Sequence, residues 1–444
     1  MAIMSAHNST RLITQHNLKE PSHDYLTFLA SRIPRWGIPR KELIRREIFR
    51  RKLVKLTKDA IYRLLKDNGV PPRDNDLQVD LRCYGSFRSG FAMPTSDLDL
   101  QFISNNIPYR LQSSIPFALR QAYINRGIYC EEVLEKCAKL IVCDANHDKN
   151  ESLSTNAVAP KLYTSYSDHR QSCTANHCII RFPSRNADLS MHSTELLRCY
   201  RACDDRVYDM GIFIKRWAAA RQINNPSANT LSSYGYILMI LHYLLNVTDP
   251  PVIPNLQHCN IGFRELEWVE GEEVFYWRNI AEIVKAADQR KLTRNRQSVP
   301  SLLRGFFDYY SGGGYVPGRR RFCYKDDVVS IRSCAGRVTK RERGIWASNG
   351  NGVDNTNLPK KRQRCFLVIE DPFRACLNIA TTVDWEGVWV IRNEFARARD
   401  IIEAIDCGEI GEDFFAPRNL TSDTLMSHSV AVPKKRSPKP ANPY

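Results

Sequence analysis

The sequence predicts an α+β fold in which a mixed sheet with helices is followed by a mainly helical domain. Polar and apolar residues alternate in the run from Asp97 to Phe102, which is typical of a strand with one buried face. Ile237 to Leu245 is an apolar run that is too short to span a bilayer and is typical of a buried core helix. With 444 residues, 43% of them hydrophobic, the chain is long enough for two to three domains.

The first 69 residues divide into two segments. Residues 1–22 are polar and lack periodicity, so we expect a disordered N-terminus. Residues 23–69 are expected to be helical, because apolar residues between Arg40 and Leu65 recur at helical spacing. Between Arg32 and Lys58 there are eleven basic and two acidic residues, a charge that indicates either an RNA-backbone contact or a solvated helix face.

Three further regions follow. We predict a mixed α/β domain at 70–195, with a polar insertion or long loop at 145–172, and a mainly helical central domain at 196–405. We expect a flexible basic tail at 406–444, because the sequence from Ala416 is polar and rich in proline. The run from Pro433 to Arg436 in this tail is typical of a disordered basic end or of a weak nuclear signal.

The charge of the chain favours a polyanionic partner. Sixty-four basic residues against 48 acidic ones leave a net charge of +16. Nucleic acid fits this charge better than a membrane, because no amphipathic basic helix with Trp or Phe is apparent; a soluble basic protein without such a partner is the alternative. Fourteen cysteines without a C-x-x-C pair indicate a reducing, intracellular compartment, cytoplasmic or nuclear. We expect a monomer.

A glycine-serine turn, Gly85-Ser86, precedes a pair of aspartates, Asp97 and Asp99. Residues two apart in a strand point to the same face, so these two carboxylates lie side by side and repel one another unless a cation lies between them. Mg²⁺ prefers such oxygen ligands and serves in phosphoryl transfer. Backbone N–H groups of the turn, at a helix N-terminus, can cradle a triphosphate. Alone, each half is a weak signal, since most D-x-D runs are solvated surface and most Gly-Ser pairs are turns.

Two later blocks support the combination. One extends from Leu196 through Ile214-Lys215-Arg216-Trp217 to Ser232-Ser233-Tyr234-Gly235, and the other is Ile369-Glu370-Asp371-Pro372-Phe373. With the glycine-serine and aspartate motif, they resemble the template-independent RNA terminal nucleotidyltransferases, which include terminal uridylyltransferases and related poly(A) polymerases. The resemblance covers residues of about 80 to 400, most of the chain.

The resemblance implies a fold and a reaction. The domain at 70–195 is expected to be a nucleotidyltransferase domain like that of DNA polymerase β, and the domain at 196–405 a central, poly(A)-polymerase-associated domain against which the segment 23–69 packs. The expected reaction adds UMP, AMP or CMP from a ribonucleoside triphosphate to the 3′ end of an RNA and releases pyrophosphate. Mg²⁺, or Mn²⁺, is the implied cofactor.

The resemblance also implies roles for individual residues. Asp188 is expected to join Asp97 and Asp99 as a third catalytic carboxylate and metal ligand. Lys215 and Ser233 are expected to contact the triphosphate, Ser193 the ribose, and Tyr234 the face of the base. The base edge is then left to Asp371, Arg374, Leu377 and Asn378.

Some positions depart from the family pattern. Ala219 replaces a second lysine, and Ser193 replaces an asparagine. Arg374 and Leu377 replace an acidic residue and a histidine that help to read uracil, so Asp371, with no donor nearby, suits the exocyclic amine of adenine or cytosine at least as well as uracil. These substitutions leave open a weak or inactive member that serves as an RNA-binding or scaffold subunit of an RNA-processing or silencing complex, with protein partners that the sequence does not identify.

Overall fold

The structure is a computed structural model, which describes the chain in segments separated by gaps. The described residues are 23–70, 77–134, 138–143, 177–182, 187–259, 267–312, 315–316, 319–333, 336–344, 365–409 and 413–418. The predictions for residues 1–22, for the insertion at 145–172 and for the basic run 433–436 concern residues outside these segments.

The helices follow the polar and apolar pattern of the sequence. In the described segments they are α1 His23–Ser31, α2 Ile33–Trp36, α3 Arg40–Asp67, α4 Gly85–Ser89, α5 Tyr109–Gln112, α6 Ile115–Ile124, α7 Ala187–Cys203, α8 Asp205–Ala220, α9 Ser233–Asn246, α10 Ile280–Asp288, α11 Val299–Tyr310, α12 Lys340–Arg343 and α13 Trp385–Asp406. Side chains of Asp204, Ser232 and Asp384 accept hydrogen bonds from backbone N–H groups in the first turns of α8, α9 and α13. Such caps satisfy amides that a helix leaves unpaired at its start.

The mixed sheet expected from the sequence is present. Its strands are β1 Val79–Tyr84, β2 Leu98–Ser104, β3 Tyr129–Leu134, β4 Ala138–Cys143 and β5 His177–Arg181, in the order β1-β2-β5-β4-β3. Strands β2 and β5 are parallel, and the other neighbours are antiparallel. In this register Asp99 lies opposite Tyr84 of β1 and beside Ile179 of β5. Short two-stranded ladders pair β6 Trp268–Val269 with β7 Glu272–Glu273, β8 Tyr315–Val316 with β9 Arg319–Arg320, and β10 Asp327–Val328 with β11 Val338–Thr339.

The long helix α3 packs on the sheet, which corrects our prediction that the segment 23–69 packs on the central domain. Its buried apolar residues share a core with the sheet and α6; they are Phe49, Leu53, Ala60, Ile61 and Leu65. The hydroxyls of Thr57 in α3 and Tyr123 in α6 form a buried hydrogen bond of 2.6 Å. Helical spacing of apolar residues predicts a buried face, but it does not specify the neighbour that covers this face.

The two short helices before α3 pack elsewhere. Leu26 and Leu29 of α1, with Ile33 and Trp36 of α2, belong to the core of the helical region. The segment predicted at 23–69 is therefore divided between the two halves of the molecule.

The basic face of α3 includes a buried arginine. Arg46 is only 5% exposed, and its guanidinium donates to Glu42, to the backbone oxygen of Pro94 at 2.7 Å and to that of Ser96. Other arginines of this helix form ion pairs with glutamates one turn away; they are Arg45, Arg50 and Arg51. Arg46 is therefore neither an RNA-backbone contact nor part of a solvated helix face, because it holds the turn that leads to Asp97.

The helical region has an aromatic core. Trp217 of α8 lies with its ring centroid 5.0 Å from that of Phe307 in α11 and 4.9 Å from that of Phe395 in α13. The apolar run predicted as a buried helix lies within α9, where His242 is buried and its Nδ1 lies 2.8 Å from the backbone oxygen of Ser330. None of the described helices is long and apolar enough to cross a membrane.

Residues 413–418 return to this core, which corrects our prediction of a flexible tail from residue 406. Phe414 is fully buried, and the ring of Phe415 lies 5.2 Å from that of Trp36. Arg397 of α13 donates to the backbone oxygen of Asp413 at 2.8 Å. Two adjacent aromatic side chains thus anchor a short segment whose surroundings in the sequence are polar.

A buried ion pair joins α8, α13 and the segment 413–418. The guanidinium of Arg221, just after α8, donates to both carboxylate oxygens of Glu394 in α13 at 2.7 and 2.9 Å. The two side chains are 8% and 9% exposed. Arg221 also donates to the backbone oxygen of Ala416. Bidentate geometry of this kind offsets part of the cost of removing two charges from water.

We predict that Glu394→Ala lowers the free energy of unfolding by about 3 kcal/mol, because it leaves the Arg221 guanidinium buried without its carboxylate. Urea unfolding, followed by tryptophan fluorescence, measures this change. Asp400→Ala is the control: Asp400 lies on the same helix, is paired with Arg399 and is 60% exposed, so we expect a change of less than about 1 kcal/mol. Equal effects of the two substitutions would contradict a stabilising role for the buried pair.

Candidate active site

A cleft of about 1890 Å³ lies between the sheet and the helical region. It brings together most of the site residues predicted from the sequence; they are Gly85, Ser86, Asp97, Asp99, Ser193, Lys215, Ser233, Tyr234, Asp371, Arg374 and Leu377. Asp188 and Asn378 do not belong to its lining. Segments that are far apart in the sequence thus converge on one cavity.

Two carboxylates face the cleft from the start of β2. Asp97 immediately precedes the strand and Asp99 is its second residue, so both lie on the same face, as the alternation of a strand requires. Their neighbour Cys178, on β5, is fully buried, and burial together with the negative charges of Asp99 and Asp97 raises the pKa of its thiol well above the usual value. The electrostatic potential here therefore favours a cation.

The Gly85 backbone passes very close to one of these carboxylates. Gly85 has a φ of +68°, and a Cβ at this position would lie 2.7 Å from Oδ2 of Asp99. Its N–H donates to the hydroxyl of Thr194 in α7 at 3.1 Å, so this amide is bonded within the protein. Glycine is required here because other residues are strained at this φ and would collide with the carboxylate.

The carboxylate pair fits a hard divalent cation. Both side chains offer oxygen atoms at a negatively charged position, and magnesium prefers ligands of this kind. Among the described residues, no group of three or more histidine, cysteine, aspartate or glutamate side chains could hold a metal ion. The described part of the site therefore supplies two carboxylates.

Asp188 does not complete the pair, which corrects our prediction of a third carboxylate. It lies in the first turn of α7, is exposed and lies outside the cleft lining; its negative charge acts on His192, one turn further along α7. On β5, the strand beside β2, it is Arg181 that lines the cleft, with its guanidinium 5.6 Å from the ring centroid of Tyr84. Because α7 begins at Ala187, Asp188 belongs to this helix and not to the sheet.

Lys215 lies deep in the cleft. It is 7% exposed, and its Nζ donates to the backbone oxygen of Phe91 at 2.6 Å. Burial lowers its pKa to about 8, although the carboxylate of Asp99 raises it. Ala219 lines the cleft one turn further along α8, on the same face. Lys215 can thus present a positive charge to an anionic ligand near the carboxylates.

The start of α9 forms another wall. Ser233 and Tyr234 line the cleft directly after the capping residue Ser232. Burial and the nearby charge of Asp371 raise the pKa of the Tyr234 hydroxyl, and the nearby Ser193 opposes this shift. Tyr234, Ser193 and Asp371 therefore form one polar cluster beside an aromatic ring.

The loop that contains Asp371 corrects one of our predictions. Oδ1 of Asp371 accepts the backbone N–H groups of Phe373 and Arg374, each at 2.9 Å. The guanidinium of Arg374 lines the same cleft, and its Nε is buried without a hydrogen-bond partner in the described protein. Asp371 therefore has hydrogen-bond donors nearby, contrary to our prediction. Leu377 lines the cleft, and its backbone oxygen accepts the N–H of Asp371 at 3.0 Å.

Asn378 is structural, contrary to the predicted substrate contact. It is 3% exposed, and its Oδ1 accepts the N–H groups of Ile369 and Ala380, each at 2.9 Å. Its Nδ2 donates to the backbone oxygen of Leu367 at 2.9 Å. The side chain is therefore buried and stabilises the conformation of the loop, and its carbonyl oxygen already accepts two hydrogen bonds within the protein.

Sequence reasoning missed several residues of the cleft. Thr194, Arg181, Gln222, Asn225 and Arg418 all line it. Thr194 and Gly85 are 109 positions apart, so no local pattern reports their hydrogen bond. Arg418 lies in a stretch that we assigned to the tail by composition, and the aromatic pair Phe414-Phe415 just before it was the signal in the sequence.

Comparisons with known proteins agree with this geometry. Residues 298–375 match the model of the Cid1 family poly A polymerase domain. The chain is 30% identical to terminal uridylyltransferase cid1 of Schizosaccharomyces pombe over 327 residues, which are 73% of this chain and 69% of that protein. It is 28% identical to poly(A) RNA polymerase cid11 of the same organism, over 73% of this chain and 54% of that one. The chain thus spans only about half of the second relative.

Solved structures show the same fold. Cid1 in complex with the UTP analogue UMPNPP superimposes with a TM-score of 0.65 at 26% identity, covering 89% of this chain and 98% of the other. Cid1 with its short product ApU gives a TM-score of 0.64 at 25% identity, over 89% and 99% of the two chains. Since the sequence, the fold and the cleft agree, this chain belongs to the Cid1 family of terminal uridylyltransferases and poly(A) polymerases.

Proposed function

We propose that this protein adds ribonucleotides from a nucleoside triphosphate to the 3′ end of RNA and releases pyrophosphate. The observation that carries the proposal is the convergence of Asp97 and Asp99 with Lys215 and the start of α9 in one cleft. One cavity thus contains a carboxylate pair that can bind a metal ion and a positively charged side chain that can bind phosphate. Nucleotidyl transfer requires both. RNA also suits the net charge of +16.

The reaction joins the RNA 3′-oxygen to the α-phosphorus of the nucleotide, and the bond from this phosphorus to the bridging oxygen of pyrophosphate breaks. Asp97 and Asp99 would hold magnesium, which would lower the pKa of the 3′-hydroxyl and neutralise charge on the leaving group. Lys215 and the hydroxyls of Ser86 and Ser233 bind and orient the phosphates. The ring of Tyr234 can stack on the base, and this contact does not depend on which base is bound.

Base choice depends on the loop from Asp371 to Leu377. Arg374 donates hydrogen bonds and Asp371 accepts them, so the pair suits a base edge that presents a carbonyl oxygen next to an N–H group. Uracil has such an edge, whereas adenine lacks a carbonyl oxygen. Leu377 contributes only apolar contact.

A catalytically weak protein that binds RNA is the second candidate. It is favoured by Arg181, whose guanidinium stands on the strand next to the carboxylate pair, and by the exposed position of Asp188. Retention of both Asp97 and Asp99, and of the glycine that their geometry requires, favours the enzyme.

We predict that Asp97→Asn and Asp99→Asn each reduce primer extension at least about a hundredfold, because losing a direct metal ligand costs no less than losing a residue that orients one. Asp188→Asn serves as the matched control, and we expect its rate to stay within about threefold of wild type, since this exposed carboxylate lies outside the cleft lining. Extension of a labelled RNA and melting temperature are measured together for each variant. A hundredfold loss in Asp188→Asn would restore it as the third carboxylate.

We predict that the KM for the nucleotide rises with pH above about 8, the pKa of Lys215. Below this pH the ammonium is protonated and attracts the triphosphate; as pH rises through 8 the charge is lost, and at pH 9 about a tenth of it remains, so KM increases up to about tenfold. Initial rates between pH 7.0 and 9.5 measure the profile. Lys215→Met should raise KM at pH 7 and remove this step, whereas Lys285→Met, at an exposed position, should change neither. A wild-type profile that is flat through pH 8 would contradict the assigned role.

We predict that Arg374→Ala lowers the ratio of kcat/KM for UTP to that for ATP by about five- to thirtyfold, corresponding to about 1 to 2 kcal/mol for a partly exposed hydrogen bond. Competition between the two nucleotides on one RNA primer measures the ratio. Arg374→Lys, which keeps a donor, should retain part of the discrimination. Equal losses for UTP and ATP in Arg374→Ala would show that this side chain does not read the base.

A further inference from the structure

Arg418 brings a charge from the segment 413–418 into the nucleotide cleft. It lines the cleft together with Ala219, Gln222 and Ser233. These residues lie around the C-terminal end of α8 and the start of α9.

The position of Arg418 is set by its neighbours along the chain. The backbone oxygen of Ala416 accepts a hydrogen bond from Arg221, and Arg221 is held by Glu394 in the buried ion pair. Two residues span at most about 7 Å, so Arg418 emerges next to the last turn of α8. Phe414, which is fully buried, prevents the segment from sliding.

Binding of a triphosphate would require positive charge at this end of the cleft. A bound triphosphate would bring several negative charges into a cavity that already contains Asp97 and Asp99, and Asp384 and Glu386 line it as well. Lys215 lies one turn before Ala219 on the same face of α8, and Ala219 offers only a methyl group. Lys215 is also buried, and its Nζ already donates to the backbone oxygen of Phe91.

We propose that Arg418 binds the β- and γ-phosphates of the incoming nucleotide, and so supplies from the C-terminal segment a cation that α8 lacks at Ala219. The inference rests on the proposed function. Guanidinium suits this task because it remains charged at every physiological pH and offers paired donors that match phosphate oxygens.

The test is equilibrium binding of UTP and UMP, and of ATP and AMP, to the full chain without RNA, measured by calorimetry in the presence of Mg²⁺. We expect Arg418→Ala to raise the Kd of the triphosphates about tenfold, the effect of removing one charge-assisted contact. The Kd of the monophosphates, which lack the β- and γ-phosphates, should stay within about twofold. A purely structural role would weaken both classes of ligand alike.

Two further variants complete the experiment. Arg418→Gln keeps most of the side-chain length but removes the charge, and it should raise the Kd of the triphosphates as Arg418→Ala does. This variant keeps the test valid if Arg418→Ala fails to fold. Arg63→Ala, at an exposed position on α3, is the charge-matched control and should leave every Kd unchanged.

The outcomes separate this inference from the proposed function. If the wild type binds and uses the triphosphates while Arg418→Ala and Arg418→Gln bind them as tightly, the inference is overturned and the proposed function stands. Loss of monophosphate binding in equal measure also overturns it. If the wild type binds no triphosphate, both fall together.

Discussion

The approach of the Gly85 backbone to the Asp99 carboxylate is the contact on which the geometry of the site depends. A side chain at this position would lie 2.7 Å from Oδ2, so the turn after β1 and the start of β2 have to be built around each other. The N–H of the same glycine donates to Thr194 in α7, the helix that leads from the sheet into the helical region. One residue therefore positions the carboxylate and also connects the two halves of the cleft.

Two buried arginines hold segments that border the cleft. Arg46 holds the turn before Asp97, and Arg221 holds α13 and the segment 413–418. Both are arginines whose guanidinium groups donate to backbone oxygens, and neither is available to RNA. The basic composition of the chain therefore overstates the number of charges that a polyanion can contact.

Much of the fold and of the site could be predicted from the sequence, because the relevant signals are local. The alternation from Asp97 to Phe102 placed two carboxylates on one face of a strand, and the apolar run in α9 predicted a core helix. The blocks around Lys215, Tyr234 and Asp371 were assigned to one site through a family resemblance, and the structure brings them into one cleft. Contacts between distant segments were beyond reach. Helical spacing in α3 predicted a buried face, but it did not indicate that the sheet covers this face. Asp188 follows a strand in the sequence but belongs to a helix.

The assembly of the cleft from distant segments has a consequence for synthesis of the protein on the ribosome. The sheet that carries Asp97 and Asp99 is complete in the first half of the chain, whereas Arg418 and the aromatic pair before it come more than three hundred residues later. At a translation rate of about 5 to 20 residues per second, Arg418 is synthesised roughly 15 to 60 s after the two carboxylates. During this interval the nascent chain has the two carboxylates without Arg418, the cation that we propose for the phosphate site, so we expect its affinity for a triphosphate to be lower until the segment 413–418 has docked.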